Sequence, residues 1–132
     1  MSKITNQTND TLFKAWIANE RYEILIFPNS SADLGQWFNF QIQKSLIIAP
    51  QKGSGSLPIF VNYGPEPSAK CAEGAIPHSL IYWYGSQSTL NDNKAYQAYC
   101  QEGKNPAVEL IIRPDLTAEI IPLSNVKKVA EF

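Results

Sequence analysis

The clearest pattern along the chain is "FNFQIQ", where Phe38, Phe40 and Ile42 alternate with Asn39, Gln41 and Gln43. A period of two puts the rings on one face of a strand and the amides on the other, as in a sheet with one dry and one wet side. The run continues into "SLIIAP", breaks at "QKGSGS" and resumes in "LPIFVNY", so Lys52 to Ser56 is expected to be the loop between two antiparallel strands. Near the C-terminus "VELIIRPDLTAEII" reads as a hairpin. Leu110, Ile112, Ala118 and Ile120 form its dry face, and Pro114-Asp115 supplies the turn. The run "YEILIF" is apolar on both faces beyond Glu23, the composition of a central, covered strand.

Two segments read as helices. Thr89 with Asp92 forms a capping box, Gly103 and Pro106 supply a stop, and Ala95, Tyr96, Tyr99 and Cys100 fall on one helical stripe between them. Over residues 11–19, Leu12, Phe13, Trp16 and Ile17 make a second stripe opened by Asp10. Phe13, Ala15 and Ile17 also alternate as a strand turning near Asn19-Glu20; the helix is preferred. Between the strands lies "GPEPSAKCAEGAIPH", Gly64 to His78, whose prolines and glycines specify a long loop. The expected fold is therefore mainly β or α+β. It is a mostly antiparallel sheet or small sandwich of five to seven strands with one or two short helices. At 132 residues it forms a single domain, 1–132.

Composition narrows the function more than it identifies it. Charged residues make up 17% of the chain, below the roughly 25% of an average globular protein, and Asn, Gln, Ser and Thr take their place. Eleven basic residues scattered among twelve acidic ones supply no phosphate-neutralising patch, so nucleic acid is not an expected partner. No run approaches the roughly 20 apolar residues of a membrane span, and "MSKITNQTND" lacks the apolar core of a secretory signal. The expected location is cytoplasmic. An exported form is the alternative, because Asn6-Gln7-Thr8, Asn9-Asp10-Thr11 and Asn29-Ser30-Ser31 match the glycosylation triplet and two cysteines are present. Cys71 and Cys100 are read as free thiols in the cytoplasm or as one disulfide outside it.

The search for chemistry returns no catalytic set. His78 is the only imidazole, and a Cys71–His78 pair is the one nucleophilic arrangement available, which defines a small cysteine-dependent enzyme as a rival reading. The spacing of one His and two Cys does not fit a metal site, and no cofactor motif is present: "GSGS" is followed by Leu57-Pro58, not by a helix carrying Lys and Ser or Thr. "SNVK" matches a four-residue hydrolase pattern without the rest of such a site. Glu109 and Glu119 share their wet face with Arg113, as surface ion pairs do.

Aromatic residues remain. In "SLIYWYGSQS", Ile81 and Trp83 point to one side of a strand and Tyr82 and Tyr84 to the other, so one pair enters the core and the other needs a separate role. Tyr82 and Tyr84, with Trp37, the amides Asn39 and Gln41, and His78 at the loop end, form a candidate binding surface. Such a surface suits a protein partner, as in an inhibitor or immunity-type protein, or a second copy in a homo-oligomer. It also suits carbohydrate in a lectin-like module. The expected function is non-catalytic binding of a protein.

Overall fold

Wherever two sheets face one another, each strand must choose which parity of side chain it buries, and here the strands of both sheets make that choice against a common interior. The computed structural model describes residues 2–34, 42–51, 58–85 and 95–131. Their elements are β1 (Lys3–Asn6), β2 (Phe13–Ile17), β3 (Glu23–Ile26), β4 (Ser30–Asp33), β5 (Lys44–Pro50), β6 (Ile59–Pro65), β7 (Ile76–Tyr84), β8 (Ala95–Gln101), β9 (Ala107–Ile112), β10 (Ala118–Ser124) and β11 (Val126–Glu131). A four-stranded sheet in the order β10-β9-β1-β4 packs with a seven-stranded sheet in the order β11-β8-β7-β6-β5-β2-β3. All pairings are antiparallel except β1 with β9. The mainly β class read from the sequence is what the chain adopts.

The interior is the inward parity of each strand. Phe13, Ala15 and Ile17 of β2, Leu46 and Ile48 of β5, Val61 of β6 and Leu80 of β7 meet Ile4, Leu110, Ile112 and Ile120 of the small sheet in one buried cluster. Burying each such side chain contributes about 1.5–3 kcal/mol, so a register slip of one residue in any central strand is strongly disfavoured. The small sheet unites both ends of the chain, because β1 lies between β9 and β4.

Turns are made largely by asparagine. Asn19, Asn29, Asn105 and Asn125 hold positive φ, a conformation that Asn tolerates better than other residues bearing a Cβ. In the β9–β10 hairpin, Arg113 N donates to Thr117 O at 2.9 Å, and Asp115 Oδ1 accepts from Thr117 N and Oγ1 at 3.1 and 2.6 Å. Those bonds to Thr117 hold the Asp115 carboxyl below its usual range.

Among the described residues there is no helix, and both helical expectations are corrected. Residues 13–17 form β2, the strand alternative, turning at Asn19 into β3. The segment expected to be helical up to Gly103 contains β8; its expected cap, Thr89 and Asp92, lies outside the described residues. Its stripe of Ala95, Tyr96, Tyr99 and Cys100 is mimicry: Gln97, Ala98, Tyr99 and Cys100 are all buried, since β8 is covered on both faces and shows no period of two. "YEILIF", expected at the centre of a sheet, instead forms the edge strand β3. Residues 38–41 of the alternating run and the expected loop from Lys52 to Ser56 lie outside the described residues.

Where β1, β3 and the 8–11 segment meet, Asn6 is fully buried. Its Nδ2 donates to Thr11 O at 2.7 Å and Ile26 O at 3.1 Å, and its Oδ1 accepts from Thr8 N at 3.0 Å and Thr8 Oγ1 at 2.6 Å. One amide thereby ties the two sheets and shuts the first glycosylation triplet away from solvent. Asn6→Ala removes four hydrogen bonds at a fully buried position; we expect it to lower the unfolding free energy by about 2–4 kcal/mol in urea titrations, with Asn9→Ala as a near-neutral control.

Candidate functional site

The opposite, outward parity of the seven-stranded sheet carries the functional interest, because it is far less polar than a solvated face requires. Register places Trp16 beside Ile47, Ile47 beside Phe60 and Phe60 beside Trp83, forming an apolar row across β2, β5, β6 and β7. Phe60 and Trp83 stack with ring centroids 5.2 Å apart at 14°, while Lys14 Nζ stands 5.2 Å from the Trp16 ring centroid. The indole N–H of Trp83 is buried and has no acceptor among the described residues.

The row meets β3 at Glu23, opposite Trp16, and among the described residues β3 pairs with β2 alone. Leu25 is 44% exposed, Phe27 just beyond the strand 56% and Tyr22 just before it 76%. The other sheet edges are protected in familiar ways. β11 carries Lys127 and Lys128 with a bulge before Ala130; β10 carries Pro122 and another bulge; β4 is four residues long and bears Ser30, Ser31 and Asp33. On β3 only Glu23, 3.4 Å from Lys14 Nζ, supplies charge.

The ring pairs of β7 are assigned the other way round from an open Tyr82/Tyr84 platform. Tyr82 and Tyr84 point between the sheets and meet edge to face, 6.4 Å apart at 83°. Tyr82 belongs to the buried cluster, and Tyr84 Oη accepts a hydrogen bond from Ala118 N of the small sheet. Burial raises the Tyr84 hydroxyl above its ordinary range. Trp37, Asn39 and Gln41 lie outside the described residues.

His78 lies inside β7, not at a loop end, and is fully buried with Nε2 3.1 Å from Gln101 Oε1. Beside it a buried polar layer continues through Tyr99, whose Oη is 2.6 Å from Gln97 Oε1 and 3.2 Å from Ile120 O. Pro77, the next residue, pairs with Cys100, whose side chain faces the outer side. Cys100 is bonded to Cys71. The reading of free cytosolic thiols is therefore corrected: the two Cα atoms sit 5.7 Å apart, within bridging distance, because the 66–75 loop folds back over β8. Cys71 offers no thiol, and the imidazole and the sulfur lie on opposite faces of the sheet.

The stapled loop has few other anchors. Glu66 N donates to Pro77 O at 3.2 Å, and the Glu66 carboxylate accepts from Ser68 and from the Tyr96 hydroxyl, which hold it below its usual range. Tyr96 in turn is raised from 10.0 to about 12 by desolvation and then by Glu66. On the hairpin, Arg113 pairs with Glu119, and Glu109 faces Lys3 and Thr5 of β1 instead. Among the described residues no three His, Cys, Asp or Glu side chains gather as a metal site, and no helix is long and apolar enough to cross a membrane.

Compared with protein-family models, curated proteins and solved structures, the chain matches none. Its chemistry is read from its own geometry. The sequence missed the β3 edge, although the signal was present in "YEILIF": an apolar run on both faces demands cover, and only topology says whether it receives any.

Two measurements follow from the loop. Reducing the disulfide, or replacing both cysteines with Ser, frees a closure spanning 29 residues and is expected to lower stability by about 3–4 kcal/mol in urea titrations with and without reductant. Because the folded-state value of Tyr96 is raised above its unfolded one, its contribution to stability is complete below about pH 10 and is lost as pH rises towards about 12. Glu66→Gln removes the neighbouring charge, so phenolate absorbance should appear at lower pH than in the wild type; superimposable titrations would refute the contact.

Proposed function

We propose that this chain is a non-catalytic binding protein whose partner is another protein, and that the partner lays an extended segment along β3. The observation that carries this reading is a mismatch between composition and position: among the described residues β3 is an edge strand that is apolar on both faces beyond Glu23 and carries neither proline nor a bulge. An open edge offers unpaired backbone groups that give affinity, and Tyr22, Leu25 and Phe27 give side chains to seat in a partner. The row from Trp16 through Ile47 to Phe60 extends the apolar surface inward from that edge. Inhibitor and immunity-type proteins work in this way, by complementarity without chemistry.

A cysteine-dependent reaction has little support, since Cys71 is oxidised and His78 is turned to the interior. The disulfide favours work in an oxidising compartment over the cytoplasm. Self-association through the same edge is the competing occupant, and the test separates the two.

Immobilised wild-type protein and the Leu25→Lys/Phe27→Lys variant are exposed to extract from the source organism, and retained proteins are purified and titrated back. We expect a saturable partner whose affinity falls at least about 30-fold in the variant, with the thermal midpoint unchanged because both positions are at the surface. A partner bound equally by both proteins would sink the β3 assignment. So would a concentration-dependent dimer, seen by sedimentation, that the variant abolishes while no other protein is retained.

A further inference from the structure

On the same outer face, away from β3, a depression of about 170 Å³ is lined by Gln43, Asn62, Gly64, Pro65, Ser79 and Ile81. Its floor is set by register: Ser45 lies beside Asn62, Asn62 beside Ile81 and Gly64 beside Ser79, all in the rigid centre of the sheet. Gly64 is required for this shape, because a Cβ there would come within 2.9 Å of the Gln43 Cα. Ser45 Oγ donates to Asn62 Oδ1 at 2.6 Å, which orients the Asn62 amide. Three neutral polar side chains, Asn62, Ser79 and Gln43, thus converge on one hollow, with Ile81 and Pro65 as apolar wall.

We propose that this depression binds a single neutral saccharide ring. Hydroxyl groups match the mixed donors and acceptors of Asn62, Ser79 and Gln43, and the apolar C–H face of a pyranose matches Ile81 and Pro65. No charged side chain lines the hollow, so an ionised ligand gains no counter-charge; Glu66, next in sequence to Pro65, is engaged by Ser68 and Tyr96. A neighbouring hollow lined by Glu20, Lys44 and Asn19 differs on this point, because the Glu20–Lys44 ion pair, 2.9 Å long, spans it. The volume suits one ring, which sets weak affinity. The site shares no residue with β3, so it stands or falls independently of the protein-partner reading.

The test is a ¹⁵N correlation-spectrum titration with glucose, galactose, mannose and N-acetylglucosamine, each raised to about 100 mM, alongside glucuronate and glucosamine as charged counterparts. At least one neutral sugar is expected to bind with a Kd of roughly 1–20 mM and to shift the amides of Asn62, Ser79 and Ile81. Asn62→Ala/Ser79→Ala should weaken that binding at least tenfold. Asn62→Asp, close in shape but stripped of its donors, should do the same, so a poorly folded double variant does not decide the matter. Leu25→Lys/Phe27→Lys should bind the sugar as the wild type does. Absence of saturable shifts with every neutral sugar, shifts that survive in Asn62→Asp, or equal binding of the charged counterparts would overturn the proposal.

Discussion

The structure depends on one constraint: seven strands and four strands must share a single dry interior, so the parity of every side chain in the large sheet is decided by what covers each of its faces. The inner parity is covered by β10, β9, β1 and β4. From this follow the burial of Phe13, Leu46, Val61 and Leu80 and the inward turn of Tyr82 and Tyr84, whose hydroxyl groups need protein partners once water is gone. Asn6 and Tyr84 supply polar ties between the sheets, from β1 to β3 and from β7 to β10. Placed inside an apolar layer, such bonds select one arrangement of the sheets because misplacing either sheet leaves them unmade.

The outer parity has no second sheet over it in the described residues, and the chain treats its regions differently. Over β8 the 66–75 loop is folded back and fastened by Cys71–Cys100, with Tyr96 bonded to Glu66 at its base. Across β5, β6 and β7 the surface is a mixture of rings, amides and hydroxyls, with Phe60 stacked on Trp83 and Ser45 bonded to Asn62. At β3 the described residues provide no cover.

Legibility in the sequence follows the same logic. Strands with one covered face announced themselves: the β9–β10 hairpin, its Pro114-Asp115 turn and its dry set Leu110, Ile112, Ala118 and Ile120 were readable by alternation alone. β2 was ambiguous because Phe13, Trp16 and Ile17 satisfy a helical stripe whenever the outward residue, Trp16, is also apolar. β8 was misread because its four consecutive buried residues carry no period of two, and the short β1 and β4 offered too few residues to register. The disulfide was undecidable from spacing, since contact between Cys71 and Cys100 depends on a loop returning to a strand 29 residues later. The candidate site was the least legible part: a strand's place within a sheet is not written in its own residues.

β8 and β3 make an instructive pair. Both break alternation, both bear large apolar groups outward and inward, and composition alone assigns both to covered positions. For β8 the cover is identifiable and even covalently secured, which shows that this chain does meet the demand of a two-faced apolar strand when it lies within the fold. For β3 the described residues do not meet the same demand, although β10 and β11 show that the fold has bulges, proline and lysine at hand for edges meant to face water. Leu25 and Phe27 are exposed at that edge, and on the proposal made above a second molecule is what covers them.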